Sequence, residues 1–308
     1  LNTEMPGLMS DIDPDKLMKA RKIKETTIKY YREHVSKYTF PWCIIMLPSE
    51  SWANKVFPND KNAYEKLYLK IMEMCMVTHK DPVKAWEEWI IKSNIYKKKL
   101  DELEITRLHY KNGLGTDLHV GKQPHARWLN LDKSDSTGKV MITNMPSYEI
   151  FTSPDYRETS GIVYSSKPLL YGGVMIQDFW LRFENGKVID FDAVQGKDAL
   201  KRILTAYKNS SLLGEVALVE HDSPISKTGI VFQTTLFDEN ASCHFALGNS
   251  YKLPILGAEI MTEEELSKIG LNSSDIHVDF MIGTSDLEVE AETKQGRKLI
   301  MKDGKFVI

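Results

Sequence analysis

The sequence has few cysteines, no surplus of either charge and no long apolar run. Its three cysteines, Cys43, Cys75 and Cys243, are too few and too scattered for a disulfide framework or a Cys-x-x-Cys zinc site. Forty Lys and Arg against 43 Asp and Glu give a net charge of −3, without the basic surplus of a nucleic-acid-binding protein. No apolar stretch approaches membrane-spanning length, and no signal peptide is recognisable. We therefore expect a cytoplasmic protein with no nucleic-acid or membrane partner.

What the chain does contain is an ordinary globular composition. Hydrophobic residues make up 42% and charged residues 27% of its 308 residues, enough for one large domain or two smaller ones. There is no Gly-x-Gly-x-x-Gly fingerprint that would indicate a dinucleotide site. The first residue is Leu1 rather than Met, so we expect the chain to be a fragment of a longer protein.

The pattern of the chain changes near residue 104. Helical patterns cover residues 14–38, 61–77 and 82–103, with one short apolar strand at residues 42–47. A single strand cannot form a sheet, so the strands that pair with residues 42–47 are either absent or elsewhere in the chain. We interpret residues 1–104 as the helical remainder of an N-terminal α/β domain.

Alternating patterns and turn signals dominate after residue 104. Asn112-Gly113 and Asn185-Gly186 mark two hairpins, and short helices are predicted at 196–209 and 262–270. The prediction is an α+β fold, with a mixed, mainly antiparallel catalytic domain over residues 105–308. In the first hairpin His109 and His119 are predicted cross-strand neighbours, but no group of acidic residues accompanies them in the sequence.

The clearest chemical signal is a strand that carries Asp275, His277 and Asp279. Alternate side chains of a strand share a face, so these three would point one way. An imidazole beside a carboxylate suits a divalent metal, although the same pattern also fits a solvated His–Asp pair.

A second signal is the small, polar and acidic run at residues 237–251, which holds His244 and favours a functional loop. An ordinary helix start capped by Asp238 or Asn240 is the alternative. A Cys243–His244 nucleophile is disfavoured, because adjacent side chains point in different directions.

Two glutamates complete the set of candidates. Glu149 lies between two prolines in a short predicted strand, and Glu215 begins the apolar strand at residues 214–219. A carboxylate in a buried strand is costly unless it is paired or bound to metal. Exposure for Glu149 and a structural salt bridge for Glu215 are the competing interpretations. Together these residues would suit two divalent ions that share a bridging carboxylate and a bridging water, with Tyr251 hydrogen-bonded to the oxyanion.

Four segments in order resemble the motifs of the thermophilic aminopeptidase family, of the aminopeptidase T and aminopeptidase S type. They are N-x-P-S-x-E-I-F-T-x-P at 144–154, L-G-E-V-A-L-V at 213–219, T-L-x-D-E-N-A-S-C-H-x-A-x-G at 235–248 and I-H-x-D-F-M-I-G at 276–283. The resemblance covers residues 105–308 most clearly. Family members have further N-terminal sequence, so the resemblance implies that part of the N-terminal domain is missing here.

The resemblance implies a homodimeric aminopeptidase that acts on peptides with a free N-terminus through two divalent ions, zinc, cobalt or manganese. It implies catalytic roles for Tyr251, Glu149 and Glu215, and the metal ligands Glu149, Glu215, His244, His277 and Asp279. Asp275 would orient His277 from the second shell. The alternatives are a non-catalytic metal- or peptide-binding module and a two-metal phosphoesterase, for which Lys227 or Lys252 would bind phosphate.

Overall fold

The computed structural model describes residues 3, 12, 16, 19, 20, 23, 24, 27–36 and 38–308. The chain forms two compact units, residues 1–82 with 131–147 and residues 83–130 with 148–308. The predicted helix over residues 14–38 is observed as a helix at Lys29–Ser36, and much of its remainder lies outside the described residues. These units are defined by contacts within the chain. The predicted boundary between two domains after residue 104 stays a prediction.

The first unit combines helices with two small pairs of strands. Its elements are α1 Lys29–Ser36, β1 Ile44–Ile45, α2 Glu50–Val56, α3 Ala63–Met74, β4 Asp132–Ser134, β5 Val140–Ile142 and β6 Asn144–Met145. The Ser49 hydroxyl caps α2 by accepting a hydrogen bond from the Trp52 amide, and Trp52 and Leu67 are fully buried. The strand predicted at 42–47 does have a partner elsewhere in the chain, because β1 pairs in parallel with β6.

The second unit carries two antiparallel sheets. Its elements are α4 Pro82–Glu102 (from residue 83), β2 Arg107–Lys111, β3 Asp117–Lys122, β7 Ile150–Thr152, β8 Pro154–Tyr164, β9 Leu169–Tyr171, β10 Val174–Glu184, β11 Lys187–Gln195, α5 Lys197–Thr205, β12 Leu213–Leu218, α6 Thr235–Glu239, β13 His244–Gly248, α7 Glu263–Lys268, β14 His277–Met281, β15 Glu288–Thr293, β16 Gly296–Lys302 and β17 Lys305–Phe306. The larger sheet runs β11-β10-β8-β3-β2-β15-β16-β17 with β9 on β10, and the smaller runs β14-β13-β12-β7.

These elements confirm the predicted α+β class and both predicted hairpins. β2 pairs with β3, and β10 pairs with β11. The helix predicted from residue 262 begins with the expected capping box, in which Thr262 and Glu265 satisfy each other's backbone amides. Within the part of the chain that the structure describes, no helix is long and apolar enough to cross a membrane.

The main hydrophobic core of the second unit lies between its two sheets. Tyr110 of β2 packs edge-on against Phe245 of β13, with ring centroids 4.9 Å apart. Phe179 of β10 lies 5.8 Å from Phe280 of β14, and all four rings are buried. Burial of these aromatic side chains holds the smaller sheet on the larger one.

Replacing Phe179 with alanine should leave a cavity between the sheets. We expect Phe179→Ala to lower the free energy of unfolding by about 3–5 kcal/mol, because it loses both burial and packing. Val194→Ala on β11, where the side chain is 82% exposed, should change it by less than about 0.5 kcal/mol. Urea unfolding of both variants makes the comparison, and equal effects would contradict this placement of the core.

Candidate metal centre

The smaller sheet has one apolar face and one face that carries the predicted ligands. Along β13 and β14, Phe245, Val278 and Phe280 point into the core. His244, His277 and Asp279 occupy the alternate positions and therefore lie on the opposite face. The period of two that brought His277 and Asp279 together in the sequence is thus the reason that both face the same site.

Glu215 reaches this face because β12 contains a bulge. Leu213 is paired with Leu247, whereas Glu215 is paired with Ala246, so Gly214 is an extra residue in the ladder. Leu213 and Val216 both join the core although they are three positions apart. Without the bulge, Glu215 would share the core-facing side of Leu213, so the extra residue turns the carboxylate toward the histidines.

Small side chains separate the candidate ligands across the sheet. Ala246 lies between Glu215 and Asp279 in one cross-strand row, and Gly248 is paired with His277. Because directly opposed side chains are close neighbours, an alanine or glycine there leaves space between the polar groups. That space is where a ligand of the surrounding carboxylates and imidazoles would fit.

The structure brings all five predicted metal ligands together. Glu149 immediately precedes β7, and its Oε2 lies 3.4 Å from Nε2 of His244. Nε2 of His277 lies 3.0 Å from Oε2 of Glu215 and 3.2 Å from Oδ1 of Asp279. Two groups result, Glu149 with Glu215 and His244, and Glu215 with His277 and Asp279, each with donor atoms within 4.8 Å of one another. Glu215 belongs to both groups.

Backbone carbonyls orient both imidazoles. Nδ1 of His244 lies 3.0 Å from the carbonyl oxygen of Ser242, and Nδ1 of His277 lies 2.7 Å from that of Asn249. Each Nδ1–H donates to its carbonyl, which turns Nε2 toward the carboxylates. Asp275 was predicted to orient His277, and this is wrong, because Asp275 is exposed and the Asn249 carbonyl takes that role.

Sequence reasoning missed one further member of the site, Glu239 at the end of α6. Its carboxylate forms a third group with His244 and Asp279, again within 4.8 Å. The run at residues 237–251, expected to be a loop, instead ends α6 and forms β13. The position of Glu239 in that acidic run could have marked it as a candidate ligand. Its direction depends on the end of α6 lying next to β13, which the sequence did not predict.

Carboxylates outnumber imidazoles in this buried site. Four carboxylates (Glu149, Glu215, Glu239 and Asp279) surround two imidazoles, and among the described residues none of the four forms a salt bridge with Lys or Arg. Burial raises the pKa of Glu215, and burial together with the Asp279 charge raises the pKa of Glu239. Burial alone would lower the pKa of His244, but its hydrogen bond to Glu149 raises it to about 10. Bound cations would favour the ionised form of these crowded carboxylates.

Tyr251 lies at the exposed side of the cluster. Its ring centroid is 4.7 Å from that of His277, and 46% of the residue is exposed. Desolvation and the nearby charges of Glu215 and Asp279 hold the pKa of Tyr251 well above its usual range. The phenol is therefore a neutral hydrogen-bond donor that a molecule entering from solvent can reach.

Cys243 and His244 do not form a catalytic pair. The thiol is buried on the core side, 3.3 Å from the carbonyl oxygen of Val219, and burial raises the pKa of Cys243 to about 12. Lys252 pairs with Glu263 on the surface, and Lys227 is exposed.

Comparison with known proteins identifies the family. The family model for thermophilic metalloproteases (M29) matches residues 1–306. The chain belongs to the M29 family of thermophilic metalloproteases. This M29 chain is 38% identical over 306 residues to aminopeptidase AmpS of Bacillus subtilis, covering 98% of the chain and 74% of the relative. It is 32% identical to aminopeptidase T of Thermus aquaticus with the same coverage.

A solved structure agrees with the fold. Wild-type AmpT from Thermus thermophilus superposes with a TM-score of 0.91 at 32% identity, covering all of this chain and 75% of that one. The M29 site also fits metal on its own chemistry. Carboxylate oxygens and imidazole nitrogens are ligands for zinc and similar divalent ions.

The bulge makes Gly214 sensitive to substitution. A β-carbon at Gly214 would collide with the backbone carbonyls of Gly248 and Asn249, and the latter holds His277. We expect Gly214→Ala to weaken metal retention by about 10–100-fold, because it displaces Glu215 and His277 together.

Gly173→Ala serves as the control for Gly214→Ala. Gly173 has φ +83°, so alanine strains the backbone there, but no atom lies near the added β-carbon. Its metal content should equal that of the wild type. Metal content after dialysis against a weak chelator measures both variants, and full metal content in Gly214→Ala would refute the role of the bulge.

Proposed function

We propose that this chain removes single residues from the free N-terminus of peptides with a dinuclear metal site. The chain is a metal-dependent aminopeptidase of the M29 family, and relatives from four genera carry the name aminopeptidase. The observation that supports the dinuclear site is the sharing of Glu215 between two groups of potential ligands.

The donor groups suggest two positions with Glu215 as the bridge. Glu149 and His244 would complete the first position, and His277 and Asp279 the second. Glu239 would add a ligand near His244, since its carboxylate lies with His244 and Asp279. Zinc and cobalt are the metals we propose, with manganese also suited to these ligands.

Bound divalent ions would lower the pKa of a water molecule and polarise the scissile carbonyl. The chain's own residues prepare the site for that chemistry. The carbonyls of Ser242 and Asn249 each face an Nδ1 atom and hold the ring orientation, so the Nε2 atoms face the carboxylates without reorganisation. We propose that one of two carboxylates, Glu149 or Glu215, also accepts a proton from water during the reaction.

We assign oxyanion stabilisation to Tyr251. Its neutral hydroxyl, at the solvent-reachable side of the cluster, would donate a hydrogen bond to the oxygen that becomes negative in the tetrahedral intermediate. The free α-amino group of the substrate could bind one of the two ions as a neutral nitrogen ligand, which would account for a preference for a free N-terminus.

Two further properties are part of the proposal. The free thiols Cys43, Cys75 and Cys243 fit a reducing cytoplasm. The homodimer follows from the resemblance alone. A non-catalytic binding module has no observation in its favour, and the half-exposed Tyr251 gives the site the access to solvent that a reaction requires.

Hydrolysis of leucine p-nitroanilide, compared with that of its N-acetylated derivative, tests the proposed function. We expect cleavage only of the free amine, loss of cleavage on chelation, and recovery with zinc or cobalt, because the amine and the metals act together. Release of nitroaniline is followed by absorbance. Cleavage of the acetylated derivative would contradict an aminopeptidase, and activity that survives complete metal removal would contradict a metallopeptidase.

His277→Ala and Asp279→Ala test the ligand assignment. Both should lose metal and activity, because each removes a donor from a group of only three. Asp275→Ala is the matched control on the same segment, where the side chain is exposed. The assignment fails if the two alanine variants keep wild-type metal content and activity.

Tyr251→Phe separates catalysis from metal binding. Loss of one oxyanion donor should reduce kcat by about 100-fold or more, while metal content stays unchanged. Tyr68→Phe is a control of similar exposure, 43% against 46%, in the first unit. Stopped assays at saturating substrate measure kcat, and an unchanged kcat for Tyr251→Phe would remove the tyrosine from the mechanism.

A further inference from the structure

A second group of imidazoles and a carboxylate lies on the larger sheet. β2 and β3 place His109 directly opposite His119, and Asp117 lies two residues before His119 on the same face. The intervening Leu108 and Leu118 are buried in the core. One acidic residue, Asp117, therefore accompanies the histidine pair.

The three side chains are close enough to share an ion. The imidazole rings of His109 and His119 are stacked with centroids 3.9 Å apart and planes at 12°. Nε2 of His109 lies 2.6 Å from Oδ1 of Asp117, and one donor atom of each residue lies within 4.8 Å of the other two. Ligands around tetrahedral zinc are about 3.4 Å apart, given bonds of about 2.1 Å, so small side-chain rotations suffice.

His119 supplies an independent indication of a ligand. Its Nδ1 is buried and has no hydrogen-bond partner anywhere in the described part of the chain. An unsatisfied buried nitrogen costs free energy, which binding would recover. Zinc would take the lone pair of a neutral imidazole at this nitrogen.

The surrounding charges are compatible with a cation. Lys111 lies 3.8 Å from Oδ2 of Asp117, which leaves the Oδ1 side to the histidines. Arg107 is paired with Glu158 at 2.8 Å. Glu290 of β15 is directly opposite His109 and is paired with Arg297 at 3.5 Å.

This group is separate from the active-site cluster. Its residues lie on the outer face of the larger sheet, and the active-site ligands lie on the outer face of the smaller one, with the core between them. Tyr110 and Phe245 of that core separate the two faces. The two groups share no residue.

We propose that His109, Asp117 and His119 bind one zinc ion on the outer face of the larger sheet, with the remaining coordination open to water. Two imidazoles and one carboxylate suit zinc better than magnesium or calcium, which prefer oxygen ligands. The site adds a metal ion to the protein without contributing to the active-site cluster.

Zinc stoichiometry tests the site by difference. The double variant His109→Gln/His119→Gln should bind one zinc ion per chain fewer than the wild type in equilibrium dialysis. The control His79→Gln/His221→Gln, which changes two exposed histidines elsewhere, should bind the wild-type number. Leucine p-nitroanilide cleavage should be equal in wild type, variant and control. Because only a difference is measured, the result does not depend on how many ions the active site holds.

A measurement on the wild-type protein avoids any effect of the substitutions on folding. Diethyl pyrocarbonate labels accessible histidines, and peptide mass spectrometry locates the labels. Zinc should protect His109 and His119 while His79 stays equally reactive. Equal zinc content in the double variant and the control, or labelling of His109 and His119 that zinc does not change, would overturn the proposal.

Discussion

One extra residue in a strand decides whether the four-stranded sheet presents all its candidate metal ligands on one face. Gly214 is the unpaired residue of β12, and it shifts Glu215 from the apolar face to the face of His244 and Asp279. In that position Glu215 joins both groups of donors and is the proposed bridge. The bulge also lets β12 keep Leu213 and Val216 in the core, so the same backbone feature serves packing and chemistry.

The site holds four carboxylates and two imidazoles, and the surrounding fold keeps these groups close together. Backbone carbonyls hold His244 and His277 through Nδ1, so the imidazoles cannot turn away from the carboxylates. Ala246 and Gly248 keep space between the ligands. Burying these carboxylates close together lowers the stability of the folded chain. Burial of the apolar side chains beneath the sheet offsets that cost.

The unassigned histidine pair illustrates a different use of the same sheet geometry. His109 and His119 are aligned by cross-strand pairing rather than by a bulge, and Asp117 comes from the alternate position of the same strand. The hairpin was predictable from Asn112-Gly113, and so was the pairing. The unsatisfied Nδ1 of His119 was not, since it depends on which neighbours cover that atom.

The sequence by itself determined the α+β class, the family and the residues expected to bind metal, because ordered motifs and strand periodicity are local properties of the chain. It located His277 and Asp279 on one strand face for that reason. Only the tertiary structure decided that Glu239 joins the site, that the Asn249 carbonyl and not Asp275 orients His277, and that β1 pairs with β6. These depend on contacts between segments distant in sequence and on a bulge, and a shift of one residue reverses the face of every side chain that follows.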